Sequence, residues 1–161
     1  MVLYRSRQHA HQNPIARGVL VATALACAAL FGAGGMWSGP DESAAAAWWM
    51  GGVTLAVVLG LLLVPLTITV DDTHVRVSFA GVVKKAYPVD DVTAVEARTY
   101  RPVKDFGGWG WRWSHRLPHT VAYTTRGDTA VVLTLRGGGQ VFLGVADEPG
   151  LLAALEPRVT A

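Results

Sequence analysis

Thr67-Ile68-Thr69-Val70-Asp71-Asp72-Thr73-His74-Val75-Arg76-Val77-Ser78-Phe79 is the stretch on which the fold turns. Ile68 and Val70, then Val75, Val77 and Phe79, alternate with polar side chains, the period-two pattern of strands with one buried face. Asp71-Asp72 between the two runs is a turn signal, so the stretch reads as a hairpin. Towards the C-terminus, Val82-Val83-Lys84-Lys85-Ala86-Tyr87 and residues 90–97 read as two more strands, followed by residues 120–125, 129–135 and 141–145. Gly137-Gly138-Gly139 lies between two Val/Leu-rich runs and reads as a hairpin turn; no helix and no Lys-Ser/Thr pair follows it, as a phosphate loop requires. The chain closes on a helical pattern. Asp147 can cap it, Pro149 suits its first turn, Leu151, Leu152, Leu155 and Val159 recur at helical spacing, and Pro157 is expected to shorten or kink it. Residues 67–161 are thus expected to form a small mostly-β domain, a sandwich or open barrel of six or seven strands closed by a C-terminal helix.

Towards the N-terminus the pattern changes. Residues 18–37 and 44–70 carry no charge, and about 20 apolar helical residues suffice to cross a bilayer core. Pro65 is a natural helix stop, so the spacing predicts a two-helix transmembrane hairpin over 18–64, with helices at about 18–37 and 45–64. Ser38-Gly39-Pro40-Asp41-Glu42-Ser43 is the turn-prone connector. Arg5, Arg7 and Arg17 precede the first span without an acid, while the connector holds Asp41 and Glu42 without a base. The positive-inside rule then predicts a multi-pass protein of the cytoplasmic (inner) membrane with both termini cytoplasmic, residues 1–17 forming a basic N-terminal segment. Trp37, Trp48 and Trp49 flank the connector as an aromatic belt would. A 17-residue polar lead is long for a cleaved signal peptide. Ala22, Ala26, Ala29 and Ala33 fall on one face of the first helix, a stripe that permits close packing on the second helix or on another subunit.

Composition narrows the function classes. Of the 161 residues 51% are hydrophobic and 16% charged, with a formal net charge of +2, too balanced for a protein that coats nucleic acid. The single cysteine, Cys27, rules out an intramolecular disulfide framework and a Cys-rich zinc site. His115 and His119 are four apart, but Pro118 lies between them and no third ligand suggests itself, so neither a metal nor a cofactor is expected. Ser114-His115 is adjacency rather than a catalytic arrangement, and no Gly-x-Ser-x-Gly elbow is present. Asp71-Asp72 and Asp90-Asp91 belong to turns. No catalytic residues are nominated, and the chain is expected not to be an enzyme.

The densest chemistry lies in residues 98–119, where five basic side chains stand against Asp105 alone. Trp109, Trp111 and Trp113 alternate and would share one face of an extended strand. With Arg101, Lys104, Arg112 and Arg116 they make a candidate interaction surface. That composition suits a protein partner, anionic lipid headgroups, or residues that simply pack a loop.

Tyr87-Pro88-Val89-Asp90-Asp91-Val92-Thr93-Ala94-Val95, leading into a strand, resembles a segment of the bacterial pleckstrin-homology-like (PH-like) domain proteins. Many of these are uncharacterised actinobacterial membrane proteins. Phe106-Gly107-Gly108-Trp109-Gly110-Trp111-Arg112 is similar to their GGWGxR-type run, and the closing strand and helix over 141–156 fit as well. The resemblance spans roughly residues 67–158. It implies a PH-like fold and a non-catalytic role, with no general ligand established and no catalytic residues to carry over. The Ala-, Val-, Gly- and Arg-rich usage, with lysine only at 84, 85 and 104, suits a GC-rich genome. The resulting expectation is a membrane-anchored PH-like module presenting a protein-docking surface at the inner face of the membrane. The alternatives are an accessory subunit of a larger membrane complex and an anionic-lipid-sensing module.

Overall fold

Tyr4, Ser6 and Gln8 point one way along the first strand and Arg5 and Arg7 the other, and that alternation starts the fold at the second residue. In the computed structural model, which describes residues 1–37, 42–114 and 116–159 (without the side chains of 31–37, 42–44, 47 and 62), the chain runs as nine strands and four α-helices. These are β1 (Val2–His9), α1 (Pro14–Trp37), α2 (Glu42–Leu62), β2 (Pro65–Asp71), β3 (His74–Phe79), β4 (Val83–Pro88), β5 (Val92–Thr99), α3 (Pro102–Phe106), β6 (Gly110–Trp113), β7 (Thr120–Thr124), β8 (Thr129–Leu135), β9 (Gln140–Leu143) and α4 (Glu148–Val159). Two compact units result, residues 1–9 with 65–161 and residues 10–64.

The larger unit holds two sheets. The first is antiparallel in the order β1-β2-β3-β4, and the second has the order β5-β8-β9-β7-β6 with β7 and β9 parallel. Leu66, Ile68 and Val70 of β2 and Val75 and Val77 of β3 are buried with Val131 and Leu133 of β8, Val141 and Leu143 of β9, and Leu151 and Leu155 of α4. The opposite face of the five-stranded sheet buries Ala122, Ala130, Val132 and Phe142 with Tyr100 and Phe106. Burial on both faces explains why Ala130-Val131-Val132-Leu133 is an unbroken apolar run. Gln8 is the polar exception. Its Nε2 donates to Gly144 O at 3.1 Å, and its Oε1 accepts from Thr125 Oγ1 at 3.1 Å. Asp147 caps α4 by accepting from Gly150 N at 3.0 Å, and Tyr4 Oη donates to Asp147 O at 3.1 Å. The α4 helix runs on past Pro157, because in a last turn proline removes little more than one helical hydrogen bond.

In the smaller unit, Asn13 is buried and caps α1, its Oδ1 accepting from Ile15 N at 3.0 Å and Ala16 N at 3.1 Å, with Pro14 at the first helical position. Ala10 N–H donates to Val64 O at 3.2 Å, tying the two ends of the unit together. The α1 and α2 helices pack on each other. Half-buried Leu20, Ala24 and Cys27 of α1 and buried Val58 of α2 are the inward positions, whereas Val19, Leu25, Leu30, Trp49 and Val53 are exposed.

The structure corrects the expected architecture. Among the described residues no helix is long and apolar enough to cross a membrane. This overturns the transmembrane hairpin, the multi-pass assignment to the cytoplasmic membrane, and the placement of both termini that rested on it. An uncharged stretch of sequence is not by itself a span: α1 takes in Arg17 in its first turn and α2 begins on Glu42. The chain is a small α/β fold with two sheets rather than a hairpin anchor joined to a six- or seven-stranded PH-like sandwich. The basic segment expected to be a tail contributes a strand, β1, to the first sheet. The Ser38–Ser43 connector falls at 38–41 outside the described residues, as do the side chains of Trp37 and Ala33.

Candidate functional site

The candidate surface is built on β6, the edge strand of the five-stranded sheet, which pairs with β7 through Trp111 opposite Tyr123, Arg112 opposite Ala122 and Trp113 opposite Val121. The glycines set its approach. Gly107 closes α3 in the left-handed region at φ 74°, and Gly108 and Gly110 have φ of 128° and 116°, conformations that side chains resist. The chain is therefore not extended until Gly110. Trp109 turns away from the other two tryptophans, and its Nε1 donates to Gly127 O at 2.8 Å, pinning the glycine loop to the β7–β8 turn.

Trp111 and Trp113 share a face and contact edge to face, with centroids 5.4 Å apart at 75°. Trp113 is 66% exposed and Trp111 37%. Trp111 stands opposite buried Tyr123 in the register, and the Tyr123 phenol hydrogen-bonds Tyr87. Burial is the larger influence and pushes that phenol above its ordinary value. Tyr87 Oη lies 3.1 Å from Tyr123 Oη, and burial together with that neighbour raises Tyr87 as well. One indole is thus held against the core while the next stands in solvent.

The predicted cations divide around this edge. Arg112 projects to the opposite face from the indoles, on the side of Ala122 and α3, and is exposed. Arg101, at the N-cap of α3, and Lys104, midway along it, are exposed, and Arg101 N donates to Asp105 Oδ2 at 2.8 Å. Arg116 reaches Asp105 at 4.0 Å, so the one acid of the segment is shared. Phe106, Gly107, Trp111, Arg112 and Trp113 line a concavity of about 470 Å³. The structure brings Trp111, Trp113 and Arg112 together on the edge, sets Arg101, Lys104 and Arg116 about its α3 side, and removes Trp109 from it.

No protein-family model matches the chain, and no curated protein is similar to it. What the edge can do rests on its own chemistry. Ser114 Oγ accepts from Arg116 N at 3.2 Å and Leu117 N at 3.1 Å, so that hydroxyl serves the turn after β6; His115 lies outside the described residues. Asp71 closes the β2–β3 turn by accepting from Thr73 N at 3.0 Å and His74 N at 2.8 Å, bonds that hold its carboxyl down to about 2. Behind the surface, Tyr100, Phe106 and Phe142 form a T-shaped aromatic trio. Of the predicted packing stripe, Ala22, Ala26 and Ala29 are exposed on α1 and do not face α2. Sequence reasoning missed the outer face of the first sheet, where Arg5 and Arg7 join Arg76 and Lys84. The signal was the alternation within Val2–His9.

Proposed function

We propose that this chain is a non-catalytic binding module and that the β6 edge presents a docking surface for a protein partner. The exposed pair of Trp111 and Trp113 carries this reading. Tryptophan and arginine dominate the energetically important positions of protein interfaces, and an indole braced edge to face on another is pre-ordered, which lowers the entropy lost on binding. Arg112, on the other face of the same strand, joins Phe106, Gly107 and the two indoles in lining the concavity, the mixed aromatic and basic lining such surfaces have. The employment of Ser114 and Asp71 in turns is in keeping with a role without chemistry.

The test has two steps. A photo-crosslinking amino acid at Leu117, exposed beside the pair, captures neighbours in cells, with the same group at exposed Val82 as control. The captured protein is then purified and titrated against the wild-type chain and the Trp111→Ala/Trp113→Ala variant. A loss of about 30-fold or more is expected, the scale of one interface hot spot. Equal affinity for both chains would refute the surface.

A second reading, an accessory subunit of a larger protein complex, is favoured by the exposed Ala22, Ala26 and Ala29 among exposed Val19, Leu25 and Leu30 on α1. Contiguous apolar exposure of this kind marks interaction surfaces. Under it, Ala26→Leu should shift the purified assembly to smaller size while leaving the β6 titration unchanged.

A further inference from the structure

We propose that the outward face of the four-stranded sheet is a second docking surface, one that takes an extended acidic segment of a partner protein. The register assembles it. Arg7, Thr67, Ser78 and Lys84 stand opposite one another in a row across β1, β2, β3 and β4, and Arg5, Thr69, Arg76 and Ala86 form the next row. The inward neighbours of these residues, Leu66, Ile68, Val70, Val75 and Val77, are buried, which fixes the rows on the other face. Four cations therefore flank three hydroxyls on one face of the sheet.

Sheets ordinarily place opposite charges across from each other, since like charges on one face repel. Here only Arg76 has a carboxylate, Asp71 at 3.2 Å; among the described residues Arg5, Arg7 and Lys84 form no ion pair. A chain whose formal net charge is only +2 thus concentrates three uncompensated cations on one face. The middle of the face is concave, about 280 Å³, and is lined by Thr67, Thr69, Arg76, Ser78, Lys84 and Ala86 among others.

The spacing favours a peptide. Alternate side chains of an extended chain are about 6.8 Å apart, which is also the separation of Arg5 and Arg7 along β1. Carboxylates at alternate positions would meet successive rows, with the threonine and serine hydroxyls donating to them. Neither row contains an aromatic ring on which a base could stack, which argues against a single-stranded nucleic acid. This inference does not depend on the β6 edge.

The test is fluorescence anisotropy of the full chain with a labelled peptide of alternating Glu and Thr, with single-stranded oligothymidine of equal charge as the rival. The peptide is expected to bind at low ionic strength and to weaken as salt is raised. Arg5→Thr/Arg7→Thr should weaken it about tenfold and Lys84→Thr several-fold, whereas Arg112→Ser/Arg116→Ser, which removes equal charge from the β6 edge, should change it less than twofold. Lys84→Thr lies on the edge strand away from β1, so a folding defect in the double variant would not hide the result. Absence of peptide binding, an equal loss in the β6 variant, or tighter binding of the oligonucleotide would each overturn the proposal.

Discussion

Gln8 and Arg7 are chain neighbours with opposite fates, and substituting each tests the first strand. Gln8 is buried at 3% exposure and bonds Gly144 O and Thr125 Oγ1, both themselves buried. Gln8→Ala leaves the Gly144 carbonyl without this donor and the Thr125 hydroxyl without this acceptor. A buried group so stripped costs about 1–3 kcal/mol. Thr125 retains another interaction and counts at the low end, so the expected loss is about 2–4 kcal/mol. For a unit of this size that lowers the melting temperature by about 10–20 °C. Arg7→Ala, exposed on the outward face, should stay within about 0.5 kcal/mol. Thermal melts followed by circular dichroism read both. A one-residue slip of β1 would exchange the two positions between faces, so a neutral Gln8→Ala or a damaging Arg7→Ala would refute the register and the basic rows drawn from it.

Three more outcomes are expected. The Asp71 carboxyl is lowered in the folded chain to about 2 from its ordinary 3.8, so its contribution to stability is complete above about pH 4 and lost as pH falls towards 2; Asp71→Asn should flatten the melting temperature across that window, and an unchanged slope would exclude Asp71 as its source. Tyr100 Oη and Thr124 Oγ1 are buried and have no hydrogen-bond partner among the described residues, so Thr124→Val, which keeps the shape, should leave the melting temperature unchanged or raise it, and a fall of several degrees would show the hydroxyl to be bonded. A Cβ on Gly144 would lie 2.9 Å from Thr124 Cγ2 and 3.2 Å from its Cα, so Gly144→Ala should cost about 1–3 kcal/mol by wedging β9 from β7, measured by the same melts.

How far the sequence disclosed the fold depends on how local each signal is. In β2 and β3 inward positions are apolar and outward ones polar, while β8 and β9, buried on both faces, read as short unbroken apolar runs, so hydropathy alone delineates these strands. The first strand defeats that rule because two of its three inward side chains, Ser6 and Gln8, are polar, and its partner lies beyond two helices at residues 65–71. The β6 edge was half legible. Alternation placed Trp111 and Trp113 on one face, but the positive-φ glycines before them withdraw Trp109, and strand parity sends Arg112 to the other side.

The two proposed surfaces differ in kind, and that difference constrains how they can work. The β6 edge adds rigid aromatic area to its cations, so affinity there should fall less steeply with salt than a purely ionic contact would. The outer face of the first sheet offers cations and hydroxyls without aromatic area, so affinity there should fall with ionic strength. If one partner engaged both, each contact would raise the effective concentration of the other, and Trp113→Ala would weaken the intact partner far more than it weakens any isolated acidic peptide. If two partners were involved, Trp113→Ala and Arg5→Thr/Arg7→Thr would each weaken one interaction and leave the other at wild-type strength. The salt dependence of binding by the Trp113→Ala chain separates these cases: only a single bipartite partner would retain a weakened interaction that is wholly electrostatic.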